Sequence, residues 1–559
     1  MNNIMQSPQT AVNSTVSSYL LGRFMELGVR HLFGVPGDYI LDFLDDVISS
    51  RLAWIGTCNE LNAGYAADGY ARLNGMGVAV VTYGVGGFSA LNAVAGAYAE
   101  GVPLVLVSGA PHTKRRSAGE MMHHIVADYD RQFDIFRKVT IDAVQLLDPE
   151  TAPDMIDRAL SSCIRYKLPV YLELPADLAH ASCSPPAGML RIEKPVSDPE
   201  NLGLCLRDAA GLLNAASNPV ILAGIEVLRF GLGDDLLALV EQAEIPFATM
   251  MGSKCVLPEL HPQFIGIYQG SWSRPEVQKQ VESSDCLLSL GLWMTDINTG
   301  AFSMNLDVDR MIRVADKTVK IGARCYENIV LKDIIRGIVS LLRTRSYLDT
   351  HPSVPFFSIG NYVPDATARL TAASLYKALD DFLDDRKIMM AEPGDSYLAA
   401  LDFNLQEPEN FIVQSHYSSI GFCTPASLGV ALARPEKRPV VLTGDGAFQM
   451  TMQEVSTLMR WHCPAVLVIV NNEGYLAERM LHQDGIYNDI QMWRYADIPA
   501  VFNSGGQGIG LRAETEREFH DALAIAEQNP DKLILIEACI GKMDCSERLR
   551  QLGTSLRQG

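Results

Sequence analysis

Nothing in this chain reads as a membrane span or a metal-thiolate cluster. No apolar run in its 559 residues approaches the roughly 20 residues that a bilayer crossing needs. The eleven cysteines include no CxxC pair and no Cys/His metal spacing. Several, such as Cys286 and Cys539, sit in apolar stretches and read as reduced, packed thiols. Basic residues are scarce: 46 Lys and Arg stand against 66 Asp and Glu, a net charge of -20, which argues against a nucleic-acid or anionic-membrane surface. Lys114-Arg115-Arg116 is the one short basic run of interest, and it reads as a solvated loop. There is no short-period repeat and no low-complexity tract. The stretch from Met1 to Ser7 lacks the charged and apolar regions of a signal peptide, so a cytoplasmic location is expected.

What is present is apolar: 48% of the residues are hydrophobic, enough to fill several cores. Residues 15–175 alternate helical patterns with short apolar strands near 78–82, 104–107 and 170–174, which predicts a parallel sheet wrapped by helices. Residues 182–200 hold Pro185, Pro186, Pro195 and Pro199 and read as a linker. A second α/β pattern has strands near 220–222, 286–290 and 311–314, and a second linker is expected at 343–365. A third α/β segment closes with a strand at 533–536. The expectation is an α/β protein of three similar-sized domains, 1–185, 186–350 and 351–559.

The third segment carries the most specific signal. An apolar stretch, 439–443, runs straight into Gly444-Asp445-Gly446, and a helical pattern follows from about Gln453. Glycines at a strand's carboxyl end let backbone N–H groups approach phosphate oxygens, and the next helix turns its positive end to the anion. A second apolar strand, 465–470, delivers Asn472, which lies 27 residues after Asp445 within Asn471-Asn472-Glu473-Gly474-Tyr475. A carboxylate, an amide oxygen, the Gly474 carbonyl and diphosphate oxygens together suit octahedral Mg²⁺. A Gly-Asp-Gly triplet alone is an ordinary turn; the spacing and both flanking strands give it weight.

With these residues the chain resembles the thiamine-diphosphate-dependent enzymes, whose signature is this triplet followed some thirty residues on by paired asparagines. The resemblance covers nearly the whole chain. It implies the thiamine-diphosphate-binding fold, three doubly wound domains with parallel sheets in the order pyrimidine-binding, central and diphosphate-binding. It further implies that Gly444, Asp445, Gly446, Ala447, Asn472, Gly474 and Tyr475 contact the cofactor, with Asp445, Asn472 and Gly474 on Mg²⁺. Ile420 becomes the apolar wedge beneath the cofactor, and the Ser418 carbonyl receives the pyrimidine amine. Asp395 and Ser396 would add contacts at the diphosphate end, although a simple turn explains them nearly as well.

Glu60, at the head of an Ala/Gly-rich helix, reads by itself as a helix N-terminal charge. Under the resemblance it hydrogen-bonds the aminopyrimidine and so promotes loss of the thiazolium C2 proton. The first domain of one copy then faces the third of another, which implies a dimer with shared sites and, by the family's habit, a tetramer. His123-His124 means little as a bare dipeptide. Together with Asp38 in Gly37-Asp38-Tyr39 and with Glu478 after the Asn-Asn run, it resembles the simple 2-oxo acid decarboxylases. Decarboxylation needs proton donors and acceptors, and Asp38, His123, His124 and Glu478 can form such a relay. Ala477 and Leu552 stand where pyruvate-specific relatives carry bulky residues; with Ile297, Tyr397 and Leu481 they imply a pocket for medium-to-long aliphatic or aromatic 2-oxo acids. The plain alternative is that Ala477 and Leu552 are ordinary core residues. Carboligases and flavin-linked oxidases share the fold and cradle, and a silent binding subunit is the remaining reading.

Overall fold

The computed structural model describes residues 14–343, 362–502 and 505–558. They form two compact units divided between Glu193 and Lys194.

The first unit is built on a six-stranded, wholly parallel sheet. Its spatial order is Ala53–Gly56, His31–Gly34, Gly77–Val81, Leu104–Ala110, Val170–Pro175 and Asp142–Gln145. The central strands Gly77–Val81 and Leu104–Ala110 are buried at every position, which is why they read as unbroken apolar runs. Helix Glu60–Asn74 is rich in Ala and Gly because residues 62–71 are all buried, leaving no solvent face to spend on charge.

The second unit holds two sheets. One is six-stranded and parallel, in the order Phe411–Val413, Lys387–Ala391, Arg438–Gly444, Val466–Asn471, Leu533–Cys539 and Gly508–Ala513. Numbered along the chain, both six-stranded sheets run 2-1-3-4-6-5. In each, the order reverses between the first and third strands, and such reversals open crevices at the strands' carboxyl ends. The other sheet has seven strands and departs from the all-parallel expectation. After the parallel strands, Lys317–Ile321 and Arg324–Ile329 add an antiparallel edge. Their mixture of exposed and buried residues belongs to half-solvated strands, a pattern that runs of apolar residues do not reveal.

A two-stranded sheet, Ser14–Thr15 with Ser182–Cys183, completes the first unit. The three large sheets fall into two units, because one apolar core runs from the seven-stranded sheet into the cradle-bearing sheet. A buried cross-tie reinforces it: Lys254 Nζ meets Glu259 at 2.5 Å and donates to the Phe403 carbonyl at 2.7 Å. One local expectation is corrected and one is extended. Pro199 does not belong to a linker but opens helix Pro199–Ala215 with Asp198 as N-cap, where a fixed φ and a missing N–H are favourable. The helical pattern expected from about Gln453 is helix Glu454–Arg460, and a further helix, Asp445–Thr451, precedes it and begins at the triplet itself. The expected linker at 343–365 falls largely on 344–361, outside the described residues.

Candidate active site

In the first unit, four expected residues gather at the carboxyl ends of neighbouring strands. His123 Nε2 lies 2.5 Å from Asp38 Oδ2, and His124 Nε2 lies 4.0 Å from Asp38 Oδ1. Tyr39 stacks on His123 and reaches its Nδ1 at 3.1 Å, so both ring nitrogens are engaged and the ring orientation is fixed. The group is open to solvent: the side chains of Asp38 and His123 are 48% and 56% exposed.

Glu60 is the first residue of its helix, behind N-cap Asn59. The turn that follows strand Gly77–Val81 ties it to the histidines. A Cβ built on Gly84, whose φ is +65°, would lie 2.1 Å from the His124 carbonyl oxygen, and one built on Gly86 would lie 3.4 Å from Glu60 Oε1. Gly84 is required by both its left-handed φ and the close approach of the His124 backbone, whereas Glu60 meets Gly86 at ordinary contact distance. Gln132, missed in the sequence, fixes that turn: its Oε1 accepts from Gly84 N at 2.8 Å. The Gly84-Val85-Gly86-Gly87 cluster was the available signal.

In the second unit, one cavity of about 420 Å³ is lined by Asp395, Ser396, Ser418, Ile420, Gly444, Asp445, Gly446, Ala447, Asn472, Gly474, Tyr475 and Glu478. The five pocket residues Ile297, Tyr397, Ala477, Leu481 and Leu552 line it as well. Met251, Trp272 and Ala301 extend the apolar wall and were not singled out in the sequence, since nothing local distinguishes them from core residues.

Asp445 is fully buried. Its Oδ1 accepts from Gly446 N at 2.7 Å and its Oδ2 from Gly474 N at 3.0 Å, yet burial still pushes the carboxyl up to about 6. Asn472 is 5% exposed, and its Oδ1 is buried without a hydrogen-bond partner in the protein. A desolvated carboxylate beside an orphaned amide oxygen is a costly pairing unless a hard cation satisfies both. The Gly474 carbonyl accepts from Leu476 N at 3.0 Å, and its second lone pair remains for a metal. These residues fit Mg²⁺.

Ser418 and Gly421 take left-handed backbone, with φ of +54° and +88°, on either side of Ile420. Buried acceptors hold that loop: Gln414 takes the Ser419 N–H at 2.9 Å, and Glu392 takes those of Phe422 and Cys423 at 2.9 and 3.1 Å. Asp395 differs from the expectation. Although it lines the cavity, its carboxylate is committed to Tyr376 Oη at 2.9 Å and to the backbone N–H and hydroxyl of Ser546. It braces helix Asp395–Ala400 against the C-terminal segment, which leaves Ser396 and the backbone to face the cavity. Glu478 is exposed in the first turn of helix Leu476–Leu481.

An acid–base cluster and a cation-ready cradle on doubly wound sheets define a thiamine-diphosphate enzyme. Residues 14–132 match the N-terminal TPP-binding domain of thiamine pyrophosphate enzymes, residues 206–337 the central domain, and residues 393–538 the C-terminal TPP-binding domain. Over 546 residues the chain is 36% identical to the alpha-keto-acid decarboxylase of Mycobacterium ulcerans (strain Agy99), covering 97% of this chain and 96% of that protein. It is 36% identical to the alpha-keto-acid decarboxylase of Mycobacterium leprae (strain TN), covering 98% and 96%, and 35% identical to that of Mycobacterium tuberculosis (strain ATCC 25618 / H37Rv), covering 97% of each. The chain belongs to the thiamine-diphosphate-dependent 2-oxo acid decarboxylase family. No helix among the described residues is long and apolar enough to cross a membrane.

Proposed function

We propose that the protein converts a 2-oxo acid to an aldehyde and CO₂ with thiamine diphosphate and Mg²⁺, and favours side chains larger than the methyl of pyruvate. The observation that carries this reading is the orphaned Asn472 Oδ1 beside buried Asp445, opening into a cavity whose far wall is apolar. Asp445, Asn472 and Gly474 would hold the cation. Thiamine diphosphate, when bound, supplies a carbon nucleophile and an electron sink for the bond that breaks as CO₂ leaves.

The chain's own groups handle protons and exclude water. Glu60 holds a proton at its carboxyl oxygen for the cofactor's pyrimidine ring. Asp38 Oδ2 and His123 Nε2, 2.5 Å apart, share a proton that His124 can help relay. Glu478, facing the cavity, holds the proton that the carbon left behind must take up. Ala477 and Leu552 leave room for a longer substrate chain, while Ile297, Leu481 and Trp272 keep that part of the cavity dry. A homo-oligomer with shared sites, up to a tetramer, and a cytoplasmic location complete this reading.

The test is aldehyde release from pyruvate, branched, long-chain, phenyl and indole 2-oxo acids in the presence of the cofactor and Mg²⁺. Faster release from the larger acids is expected, and Ala477→Ile should move the preference toward pyruvate by roughly tenfold or more. No aldehyde from any member would overturn the reading, and an unchanged preference in Ala477→Ile would overturn its pocket.

A further inference from the structure

Arg479 is the largest fully buried side chain among the described residues, at 1% exposure, and no role for it follows from the site as described so far. It stands in helix Leu476–Leu481 and reaches back beneath the loop that carries Asn472 and Gly474. Its Nη1 donates to the Asn472 carbonyl at 3.2 Å. Its Nη2 donates to the Glu473 carbonyl at 2.6 Å, the Asn488 carbonyl at 3.3 Å and Asp489 Oδ1 at 2.9 Å. Its Nε lies 3.4 Å from Asp484 Oδ1.

The loop above it needs holding. Glu473 has a φ of +62°, a left-handed conformation that is strained for a residue with a side chain. Gly474 has a φ of +130°, and a Cβ there would lie 2.1 Å from the Asn488 carbonyl oxygen and 2.7 Å from Arg479 Nη2. The loop is therefore pressed onto the 486–489 segment, with Tyr475 N donating to the Asn488 carbonyl at 2.9 Å. The guanidinium joins the two segments from below. A planar fork with five donors can serve several carbonyls at once, which a lysine ammonium cannot.

We propose that Arg479 is a positioning residue for the cation: it holds the Asn472 and Glu473 carbonyls, the backbone between the two ligands, so that the Asn472 amide oxygen and the Gly474 carbonyl are held where a divalent ion meets them. This rests on the cofactor reading above. Orientation of metal ligands by the groups behind them is commonly worth 10- to 100-fold in metal affinity. Asp484 and Asp489, the second also bound by Lys542 at 2.8 Å, offset the two cations, so the site gains rigidity without a net positive field that would repel Mg²⁺.

The experiment is calorimetric titration of Mg²⁺ into the full chain at fixed thiamine diphosphate, for the wild type, Arg479→Lys, Arg479→Met and Asp489→Asn, with the unfolding midpoint followed in parallel. Arg479→Met should weaken Mg²⁺ binding by roughly 10- to 100-fold. Arg479→Lys should recover part of the loss, Asp489→Asn should show a smaller loss of the same sign, and excess Mg²⁺ should return turnover near the wild-type value. Wild-type Mg²⁺ affinity in a folded Arg479→Met chain, even with a lowered midpoint, overturns the proposal and leaves a merely structural arginine. If that variant does not fold, Asp489→Asn, which alters an exposed carboxylate, decides: wild-type affinity there overturns the proposal equally. A wild type that binds thiamine diphosphate without any dependence on Mg²⁺ sinks the cofactor reading itself, and the proposal with it.

Discussion

The first-unit sheet and the cradle-bearing sheet share the strand order 2-1-3-4-6-5, yet the ends of corresponding strands carry opposite equipment. After the third strand, one sheet has the glycine turn Gly84–Gly86, which exposes only Val85, and the other has the buried carboxylate of Asp445. After the fourth, one leads to the half-exposed histidine pair and the other to buried Asn472. Solvent-facing groups held by side-chain contacts can exchange protons during turnover. Desolvated oxygens, whether held by backbone N–H donors as in Asp445 or left without a donor as in Asn472, cannot relax toward water and stay poised for a cation. One topology thus presents two chemistries, and the difference lies in burial.

The contrast breaks first at Asp445. Asp445→Ala removes the carboxylate proposed to hold the cation, and a metal contribution of several kcal/mol corresponds to about a 10³-fold loss of turnover at fixed Mg²⁺. Loss of Mg²⁺-dependent cofactor binding, measured by calorimetry, should accompany it; retained binding would show that the buried set is not the cation site. Glu478 sharpens the comparison because it is an exposed acid within the buried half. Glu478→Gln should lower kcat by about 10²-fold or more while leaving cofactor affinity near wild type. If cofactor affinity falls and kcat at saturation does not, Glu478 belongs with the cradle instead.

In the first unit, Asp38→Asn and His123→Gln should each cost about 10²-fold in kcat/KM. Because the pair is joined at 2.5 Å, the double variant should fall well short of the product of the two. Multiplicative losses would mean that the two groups act in separate steps.

The sequence made the cradle legible because its chemistry is local: an apolar strand ending in Gly444-Asp445-Gly446 announces itself, and so does an asparagine pair at the end of the next. The strands were legible for the same reason, since burial on both faces leaves unbroken runs such as Val466–Asn471. What stayed hidden was polar and buried. Gln132, Glu392 and Arg479 look in sequence like any surface residue, and only the tertiary fold reveals that each holds a functional loop from behind. The bracing contacts of Asp395 stayed hidden for a related reason: its partners Tyr376 and Ser546 lie 19 and 151 residues away. The antiparallel edge at Lys317–Ile321 escaped because half-solvated strands carry too few apolar residues to stand out.

The sixth strands offer the last test, on stability. Glu173 lies opposite Gln145 in the strand ladder, and Glu537 lies opposite Arg512. Glu537 pairs with Arg512 at 2.7 Å, whereas Glu173, 1% exposed, has only the neutral donors Tyr171 at 2.8 Å and Gln145 at 2.9 Å. Burial accordingly pushes Glu173 up from its ordinary 4.5 to about 7. Its folded state therefore binds more protons than the unfolded chain between those values. Stability is greatest below about pH 4.5 on this account and falls as pH rises through 7, by roughly 3 kcal/mol. Glu392, raised to about 7 by burial in the second unit, adds a loss of the same sign. Thermal midpoints should fall between pH 5 and pH 8. Glu173→Gln should flatten the part of that fall belonging to the first unit, and Gln145→Arg, which copies the Arg512 arrangement, should flatten it too by bringing Glu173 back down. A wild-type midpoint independent of pH across this range would show that Glu173 is not held neutral by its burial, and the two sheets would then differ in their partners without differing in their electrostatics.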